Sequence, residues 1–221
     1  VDRSIMAITR LGGANAITGT IPVANGGTGV TTAAALANTG NRVLIGSAST
    51  TTDVATLELD LSTSYKIHQI YLESIAPATD GSLLRVRLST DGGSTFKSGS
   101  GDYSYGGTNW YATGSSNSSD VQQESRSSSL IVIGKGAGSG TVNEGISLNV
   151  SIYPRQSTSN GHHGNTVHWS GYRYDTSTTY RTLQGVGHLY NSSDETVDAI
   201  QFLFNSGNIT YSSYYQYGIK G

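Results

Sequence analysis

The sequence lacks cysteine, long apolar runs and any concentration of charge of one sign. Without cysteine the chain has neither disulfide bonds nor thiolate chemistry. The 13 Lys and Arg residues are scattered and give no basic patch, so we expect no nucleic-acid partner. No apolar run approaches the roughly 18 residues of a membrane-spanning helix, and the N-terminus has no apolar signal-peptide core. We therefore expect no membrane insertion.

Charged residues are also scarce, at 13% of the chain, whereas glycine and tyrosine are abundant. Low hydrophobicity combined with high net charge and few aromatic residues is typical of disorder. Here the net charge is only −2, and the 221 residues include 14 Tyr. This composition predicts an all-β protein with many turns and a hydroxyl-rich surface.

From about residue 51, apolar residues alternate with polar ones, which is the period of a half-buried β-strand. The alternation predicts antiparallel strands over Leu57–Leu61, Leu84–Leu88, Ile200–Phe204 and Ile209–Ile219. In the last of these, the odd-numbered side chains are expected on one face. The polar stretches that do not fit the period are predicted loops, at Lys97–Gly107, Ser115–Asp120 and Arg155–Asn165. We expect residues 51–221 to form an antiparallel β-sandwich head domain of jelly-roll type.

The first 50 residues differ, because isolated apolar side chains stand there among Gly, Thr, Asn and Ala. Ile17, Ile21 and Val23 have no apolar neighbours in the sequence against which to pack. Ordering one residue's backbone costs roughly 1–2 kcal/mol, whereas burying one aliphatic side chain returns about 1.5–3 kcal/mol. A single copy is therefore not expected to stay folded, but several copies wound together would shield one another. We predict that residues 1–50 are a stalk that oligomerises through these three residues and through Leu36, in a short helical turn near residues 31–38.

Within this segment lies Gly19-Thr20-Ile21-Pro22-Val23-Ala24-Asn25-Gly26-Gly27-Thr28-Gly29-Val30-Thr31-Thr32. It resembles the G-T-I-P-V-A-N-G-G-T-G-A-T-T stretch of bacteriophage tail fibres and related virion appendages, and departs at Val30, where that family usually has Ala. The resemblance implies a homotrimeric fibre on the virion with a receptor-binding C-terminal domain. Because the motif belongs to the shaft, it identifies no binding residue. The chain begins at Val1, and we expect a longer parent chain whose N-terminal part contacts other virion proteins.

Aromatic residues cluster beside the polar stretches and are the candidate ligand-binding residues. Sugar rings stack their C–H faces on aromatic planes, while their hydroxyls bond to Asn, Asp and Ser side chains. The candidates are Tyr103, Tyr105, Trp110, Tyr111, Trp169 and Tyr172, together with His163 and His168. Core packing or contact between subunits is the alternative role for the aromatic residues.

Three of the five histidines lie within His162–His168. On one strand His163 and His168 would face opposite sides, and no acidic or Cys ligand stands at a suitable spacing, so exposed loop histidines are favoured. A threefold axis that gathers copies of one histidine around a metal is the alternative. We predict no metal and no cofactor.

Ser89–Phe96 resembles the Asp-box of sialidases, S-x-D-x-G-x-T-F, which in that family is a turn remote from catalysis. A single copy predicts an ordinary β-hairpin in which Asp91 accepts backbone N–H groups. Cleavage of a glycoside needs two carboxylates at a defined separation, and the candidate pairs are Asp120 with Glu124 and Asp194 with Glu195. Nothing in the sequence fixes the separation of either pair. We expect ordinary surface charge at these positions and no enzymatic activity.

The sequence therefore predicts a virion fibre protein whose stalk, residues 1–50, leads into a head, residues 51–221. The head is expected to bind the host cell surface without catalysis, through a bacterial surface glycan or lipopolysaccharide. Two alternatives stay open. One is a purely structural virion protein, such as a head fibre or decoration protein, and the other is a glycan depolymerase.

Overall fold

A computed structural model describes residues 41–113, 116–139, 144–155, 164–174, 180–190 and 195–221. For residues 111–113 and 116–123 it describes the backbone only. The predicted oligomerisation residues Ile17, Ile21, Val23 and Leu36 lie outside these ranges, as do the predicted helical turn and His163.

The described chain folds into two antiparallel sheets that pack together as a β-sandwich. Its strands are β1 (Arg42–Thr50), β2 (Thr56–Asp60), β3 (Ile67–Pro77), β4 (Ser82–Ser89), β5 (Tyr103–Thr113), β6 (Ser116–Ser128), β7 (Ile131–Ala137), β8 (Gly145–Tyr153), β9 (Thr166–Tyr174), β10 (Tyr180–Leu189), β11 (Ala199–Phe204) and β12 (Ile209–Ile219). This architecture confirms the prediction of an all-β sandwich.

The large sheet has the strand order β1-β12-β3-β8-β9-β10-β5-β6, and the small sheet has the order β2-β11-β4-β7. Four strand pairs are nested along the chain, namely β1 with β12, β2 with β11, β3 with β8 and β4 with β7. The other four strands form the hairpins β5–β6 and β9–β10, which lie together at one end of the large sheet. The large sheet therefore has twice as many strands as the sheet that packs on it.

The core lies between the sheets and is built from the alternating apolar residues of the predicted strands. Leu84, Val86 and Leu88 of β4 have no exposed surface, and neither have Ile200 and Phe202 of β11. Complete burial of one such side chain contributes about 1.5–3 kcal/mol to folding. The large sheet adds buried residues from β3, β8 and β9, among them Ile70, Leu72, Leu148, Val150, Val167 and Trp169. The predicted period of two is confirmed on β4 and β11.

The predicted loop over Lys97–Gly107 is confirmed only as far as Asp102, and the predicted loop over Ser115–Asp120 is wrong because a strand occupies nearly all of it. β5 begins at Tyr103 and β6 at Ser116, and the two pair as an antiparallel hairpin. β6 is an edge strand that pairs with β5 alone. Backbone hydrogen bonds define such a strand, so it needs no apolar alternation that a sequence pattern would reveal. The third predicted loop, Arg155–Asn165, lies between β8 and β9 and mostly outside the described residues.

The turn at Ser89–Phe96 is not a β-hairpin, because β4 belongs to the small sheet and β5 to the large one. The predicted role of Asp91 is confirmed. Its carboxylate accepts the Thr95 N–H at 2.9 Å and the Ser89 hydroxyl at 2.7 Å. Hydrogen bonds from Thr95, followed by the one from Ser89, lower the pKa of Asp91 to about 2. The ionised carboxylate thus holds the connection between the two sheets.

β12 does not keep its odd-numbered side chains on one face, because its pairing with β3 has irregularities on both sides of Tyr211. A bulge changes the side-chain alternation relative to the partner strand. As a result Ile209 is fully buried in the core, whereas Tyr215, also odd-numbered, is 41% exposed.

β1 is formed by Arg42–Thr50, at the end of the predicted N-terminal segment, and it pairs with β12. The Arg42 guanidinium carbon lies 3.8 Å from the centre of the Tyr217 ring and 5.2 Å from that of Tyr71. A cation stacked on aromatic rings at an exposed site contributes about 0.5–1 kcal/mol. This stacking ties β1 to its neighbours in the large sheet.

Candidate functional site

The large sheet has one face on the core and one face turned away from the small sheet, which we call the outer face. The exposed large apolar side chains of the described residues all lie on strands of this sheet or directly after one: Leu44, Trp110, Tyr153, Tyr172, Tyr180, Val186, Tyr190 and Tyr215. On β2 of the small sheet, by contrast, the exposed side chains include Glu58 and Asp60. A concentration of exposed aromatic surface marks an interaction site.

Trp110 and Tyr172 are two of these exposed residues, and the pairing of three strands sets their spacing. Thr182 of β10 is paired with Trp110 of β5 on one side and with Tyr172 of β9 on the other. Because neighbouring strands lie about 4.8 Å apart, the two aromatic residues start about 10 Å apart. Their exposed fractions are 52% and 51%. We call Trp110, Thr182 and Tyr172 the aromatic row.

Hydrogen bonding and ring contacts order both ends of the aromatic row. The indole Nε1 of Trp110 donates to the Thr108 hydroxyl at 3.0 Å. At the other end, the Tyr180 ring centre lies 6.2 Å from that of Tyr172 and 4.8 Å from that of Tyr174. The rings are therefore positioned before any ligand arrives, which lowers the entropy cost of binding.

A cleft of about 770 Å³ adjoins the tyrosine end of the row and is lined by Tyr172, Tyr174, Tyr180, Ser74, Ser147 and Glu144. Ser74 has a φ of 51°, in the left-handed region, at an irregularity in the pairing of β3 with β8. Its N–H donates to the Ser147 hydroxyl at 3.1 Å. Strained backbone of this kind costs of the order of 1–3 kcal/mol and is concentrated at functional sites.

A polar groove of about 540 Å³ lies beside the row on the same strands. Ser170 of β9 stands between Asn149 of β8 and Gln184 of β10, with which it is paired. Gly106 of β5 also lines the groove, and a β-carbon built on it would meet no atom within 4 Å. The groove therefore combines hydrogen-bonding side chains with open space.

Two of the candidate aromatic residues face the core. Tyr103 has no exposed surface, and its hydroxyl accepts the Leu88 N–H at 2.9 Å and donates to the Lys97 carbonyl at 3.0 Å. Burial raises its pKa. Trp169 is 3% exposed, and its indole lies against Gly185 and Gly107. Neither ring is available to a ligand at the surface, so both have a structural role.

The remaining candidates are divided between the surface, the core boundary and the undescribed side chains. His168 is exposed on β9, and its ring centre lies 5.0 Å from that of Tyr153. Tyr105 packs partly against the core, and burial raises its pKa while the nearby Arg85 lowers it. Tyr111 lies in β5, where only its backbone is described. The structure thus brings together Trp110 and Tyr172, while His168 lines the neighbouring polar groove.

The candidate catalytic carboxylates include Glu195, whose surroundings the structure describes. It forms an ion pair with Lys97 at 3.2 Å and accepts the Thr90 hydroxyl at 2.7 Å. The Thr90 hydrogen bond, followed by the contact with Lys97, lowers the pKa of Glu195. A general acid in glycoside cleavage needs a raised pKa, so this carboxylate is better suited to holding the loop.

Sequence reasoning missed Tyr180, Thr182 and Gln184, which are exposed on β10. The alternation of these polar and aromatic residues with the apolar Leu183 was the signal that could have predicted a strand here. Gly185 and Gly187, which lack side chains, interrupt the apolar series between the buried Leu183 and Leu189. A strand with glycine at two of its five inward positions does not show the usual apolar period.

The chain matches no family model, and neither a curated protein nor a solved structure matches it. Across the described ranges, no group of three or more His, Cys, Asp or Glu side chains is placed to bind a metal ion. The same ranges contain no helix with the length and apolarity needed to cross a membrane.

Proposed function

We propose that this chain is a subunit of a bacteriophage virion fibre and that its β-sandwich binds a glycan of the host cell surface without catalysis. The resemblance of Gly19–Thr32 to fibre shafts supports the proposal that the chain is part of a virion fibre. The outer face of the large sheet supports the binding role.

The observation that carries the proposal is the exposure of Trp110 and Tyr172 on either side of Thr182, next to the polar groove. The C–H face of a sugar ring packs on an aromatic ring, and its hydroxyls hydrogen-bond to amide and hydroxyl side chains. Asn149, Ser170 and Gln184 supply such groups in the neighbouring groove. One surface therefore offers partners both for the C–H face of a sugar and for its hydroxyls.

The proposal includes a finer architecture. When the hairpins β5–β6 and β9–β10 are set aside, the eight other strands form two four-stranded sheets. Their nested pairs follow the pattern of one long hairpin that is rolled up into two sheets, which supports a jelly roll. We propose that the stalk predicted over residues 1–50 is confined to residues 1–40, because Arg42–Thr50 is strand β1 of the sandwich, and that it joins three interwound copies. An N-terminal part would attach the fibre to other virion proteins. Three heads on one stalk would convert weak glycan contacts into firm attachment.

A purely structural virion protein is the second candidate, because the exposed aromatic row also suits contact between protein subunits. In that case the rings of Trp110 and Tyr172 would be covered in the assembled oligomer. A glycan depolymerase is the third candidate, and it requires a pair of carboxylates near the aromatic row.

The test is an array of purified lipopolysaccharides and capsular polysaccharides probed with wild-type protein, Trp110→Ala and Tyr172→Ala. We expect each variant to bind about tenfold more weakly, which corresponds to about 1.4 kcal/mol per site. Tyr190→Ala is the matched control, because Tyr190 is 72% exposed but lies beyond the far end of β10. It should bind like the wild type, and light scattering should give one oligomeric state for all four proteins.

Unchanged binding by both row variants would overturn the assignment of the site. Absence of binding by the wild type, with loss of the oligomer in Trp110→Ala, would favour the structural protein. Release of reducing ends from a bound polysaccharide would establish the depolymerase.

A further inference from the structure

We infer that the glycan bound on the aromatic row is uncharged, a polymer of neutral hexoses or N-acetylhexosamines and not an acidic polysaccharide. This inference rests on the proposed glycan-binding function. It concerns the chemical class of the ligand, which the charges around the row decide.

The first observation is a lack of cations on the described outer face of the four strands that carry the site. At the exposed positions of β8, β9, β10 and β5, the described side chains include no Lys or Arg. Arg173 of β9 is 5% exposed and donates to the carbonyl of Gly136, on the core side of the sheet. Arg181 is paired with Arg173 and alternates with the exposed Thr182, which places it on the same side.

Two cations of the large sheet, Arg42 and Arg126, are on its two edge strands. Arg42 is stacked on Tyr217 and Tyr71 at the β1 end. Arg126 is on the opposite edge strand, where it lines a depression together with Glu124. The strongest hydrogen bonds to a sugar carboxylate come from Arg or Lys donors, and neither of these residues is in the aromatic row.

The second observation is that the charged residues at the tyrosine cleft are carboxylates. Glu144 lines the tyrosine cleft, and Glu73 is exposed on β3 close to the same cleft. On the other side Glu124 and Arg126 line the same depression, so neither sign of charge prevails there. Two like charges 4 Å apart repel by about 1 kcal/mol in bulk water and by about 4 kcal/mol near a protein surface. A carboxylate on a sugar at the tyrosine cleft would add to the negative charge of Glu144 and Glu73.

The third observation is the kind of polar group in the groove. Asn149, Ser151, Ser170 and Gln184 offer both donors and acceptors, which match sugar hydroxyls and N-acetyl amides. With two stacking residues about 10 Å apart, the glycan chain runs across the strands, and the rings hold two sugars that are not neighbours in the polymer. Thr182 then faces the sugar between them.

The experiment compares neutral polysaccharides with their own oxidised forms. The probes are an α-glucan, a β-glucan, a mannan and a galactan, each also prepared with its C6 hydroxymethyl groups oxidised to carboxylates. Affinity electrophoresis at about pH 8 keeps ordinary histidines, of pKa about 6.5, uncharged. We expect at least one neutral polymer to be bound at least about tenfold more tightly than its oxidised form, a difference of about 1.4 kcal/mol.

Salt and a paired substitution sharpen the test. Binding of the neutral polymer should change little between about 0.01 M and about 0.15 M salt, where the Debye length falls from about 30 Å to about 8 Å. Thr182→Lys, which places a cation between Trp110 and Tyr172, should bind the oxidised polymer more tightly than Thr182→Gln does. The Gln variant controls for the longer side chain without the charge.

Equal or tighter binding of the oxidised polymers by the wild type would overturn the inference and leave the proposed glycan-binding function standing. If Thr182→Lys and Thr182→Gln bound the oxidised polymers equally, charge at the row would not decide the ligand class, and the inference would also fail. Absence of binding to any of these polymers, and to the lipopolysaccharides and capsular polysaccharides of the first test, would remove the proposed function together with the inference.

Discussion

The indole of Trp169 lies directly against Gly185, the residue paired with it on β10. A β-carbon built on Gly185 would be 2.1 Å from Cζ2 of Trp169 and 2.6 Å from the carbonyl oxygen of Gly106. Such distances are far below van der Waals contact. The buried tryptophan therefore lies flat across a strand position that admits glycine alone, and this packing supports the sheet beneath the outer face.

The first prediction concerns this contact. Gly185→Ala should lower the free energy of unfolding by about 1–3 kcal/mol or more, because overpacking forces side chains off their rotamers and shifts the backbone. Gly106→Ala is the control, since its added methyl group meets no atom within 4 Å, and it should change stability by less than about 0.5 kcal/mol. Urea unfolding measures both values. Equal midpoints for the two variants would show that Trp169 does not occupy this position.

The second prediction uses the two tryptophans, the only ones in the chain. Trp110 is 52% exposed and Trp169 is 3% exposed, so acrylamide should quench the fluorescence of the former and hardly affect the latter. In Trp110→Phe the remaining emission should be protected, and in Trp169→Phe it should be quenched readily.

Their contributions to stability should also differ. Trp169→Ala should cost about 3–5 kcal/mol, as is typical of a large buried aromatic side chain. Trp110→Ala should change the free energy of unfolding by less than about 1 kcal/mol. Comparable losses in both variants would contradict the placement of the two residues on opposite faces of the sheet.

The third prediction is a loss of stability in mild acid. His68 is fully buried, with Nε2 at 3.1 Å from the Ser62 carbonyl and the Tyr65 ring edge-on at 5.8 Å. Burial lowers its pKa below the ordinary 6.5, and the hydrogen bond to Ser62 offsets this in part. The unfolded chain therefore takes up a proton before the folded chain does. Stability should be constant above pH 7 and fall as the pH drops below about 6.5, by at most about 1.4 kcal/mol per pH unit.

Urea midpoints measured from about pH 8 to about pH 5 test this dependence. His68→Gln should flatten the curve in this range, whatever its stability at neutral pH. His168→Gln, which changes an exposed histidine, should keep the wild-type slope. A slope that persists unchanged in His68→Gln would rule out His68 as its source.

Much of the sandwich could be predicted because burial on one face leaves a local trace. The series Leu84, Val86 and Leu88 and the series Ile200 and Phe202 are read directly as strands, and both are buried in the structure. β6 left no such trace, because an edge strand pairs through its backbone. β10 left an incomplete one, because Gly185 and Gly187 replace two inward side chains.

The aromatic candidates show where local reasoning ends. The sequence marked Trp110 and Trp169 alike, since both lie beside polar stretches rich in tyrosine. The structure separates them, with Trp110 on the outer face and Trp169 in the core. The irregular pairing of β12 with β3 had a similar effect, because it buried Gln216 and exposed Tyr215.

By itself, the sequence determined that residues 51–221 contain antiparallel strands and that few charges accompany many aromatic and hydroxyl side chains, since composition and a period of two are local properties. Only the tertiary structure decided which aromatic rings reach the surface and which of them stand together. The physical reason is that a strand's two faces are equivalent until distant strands pair with it and a second sheet covers one of them.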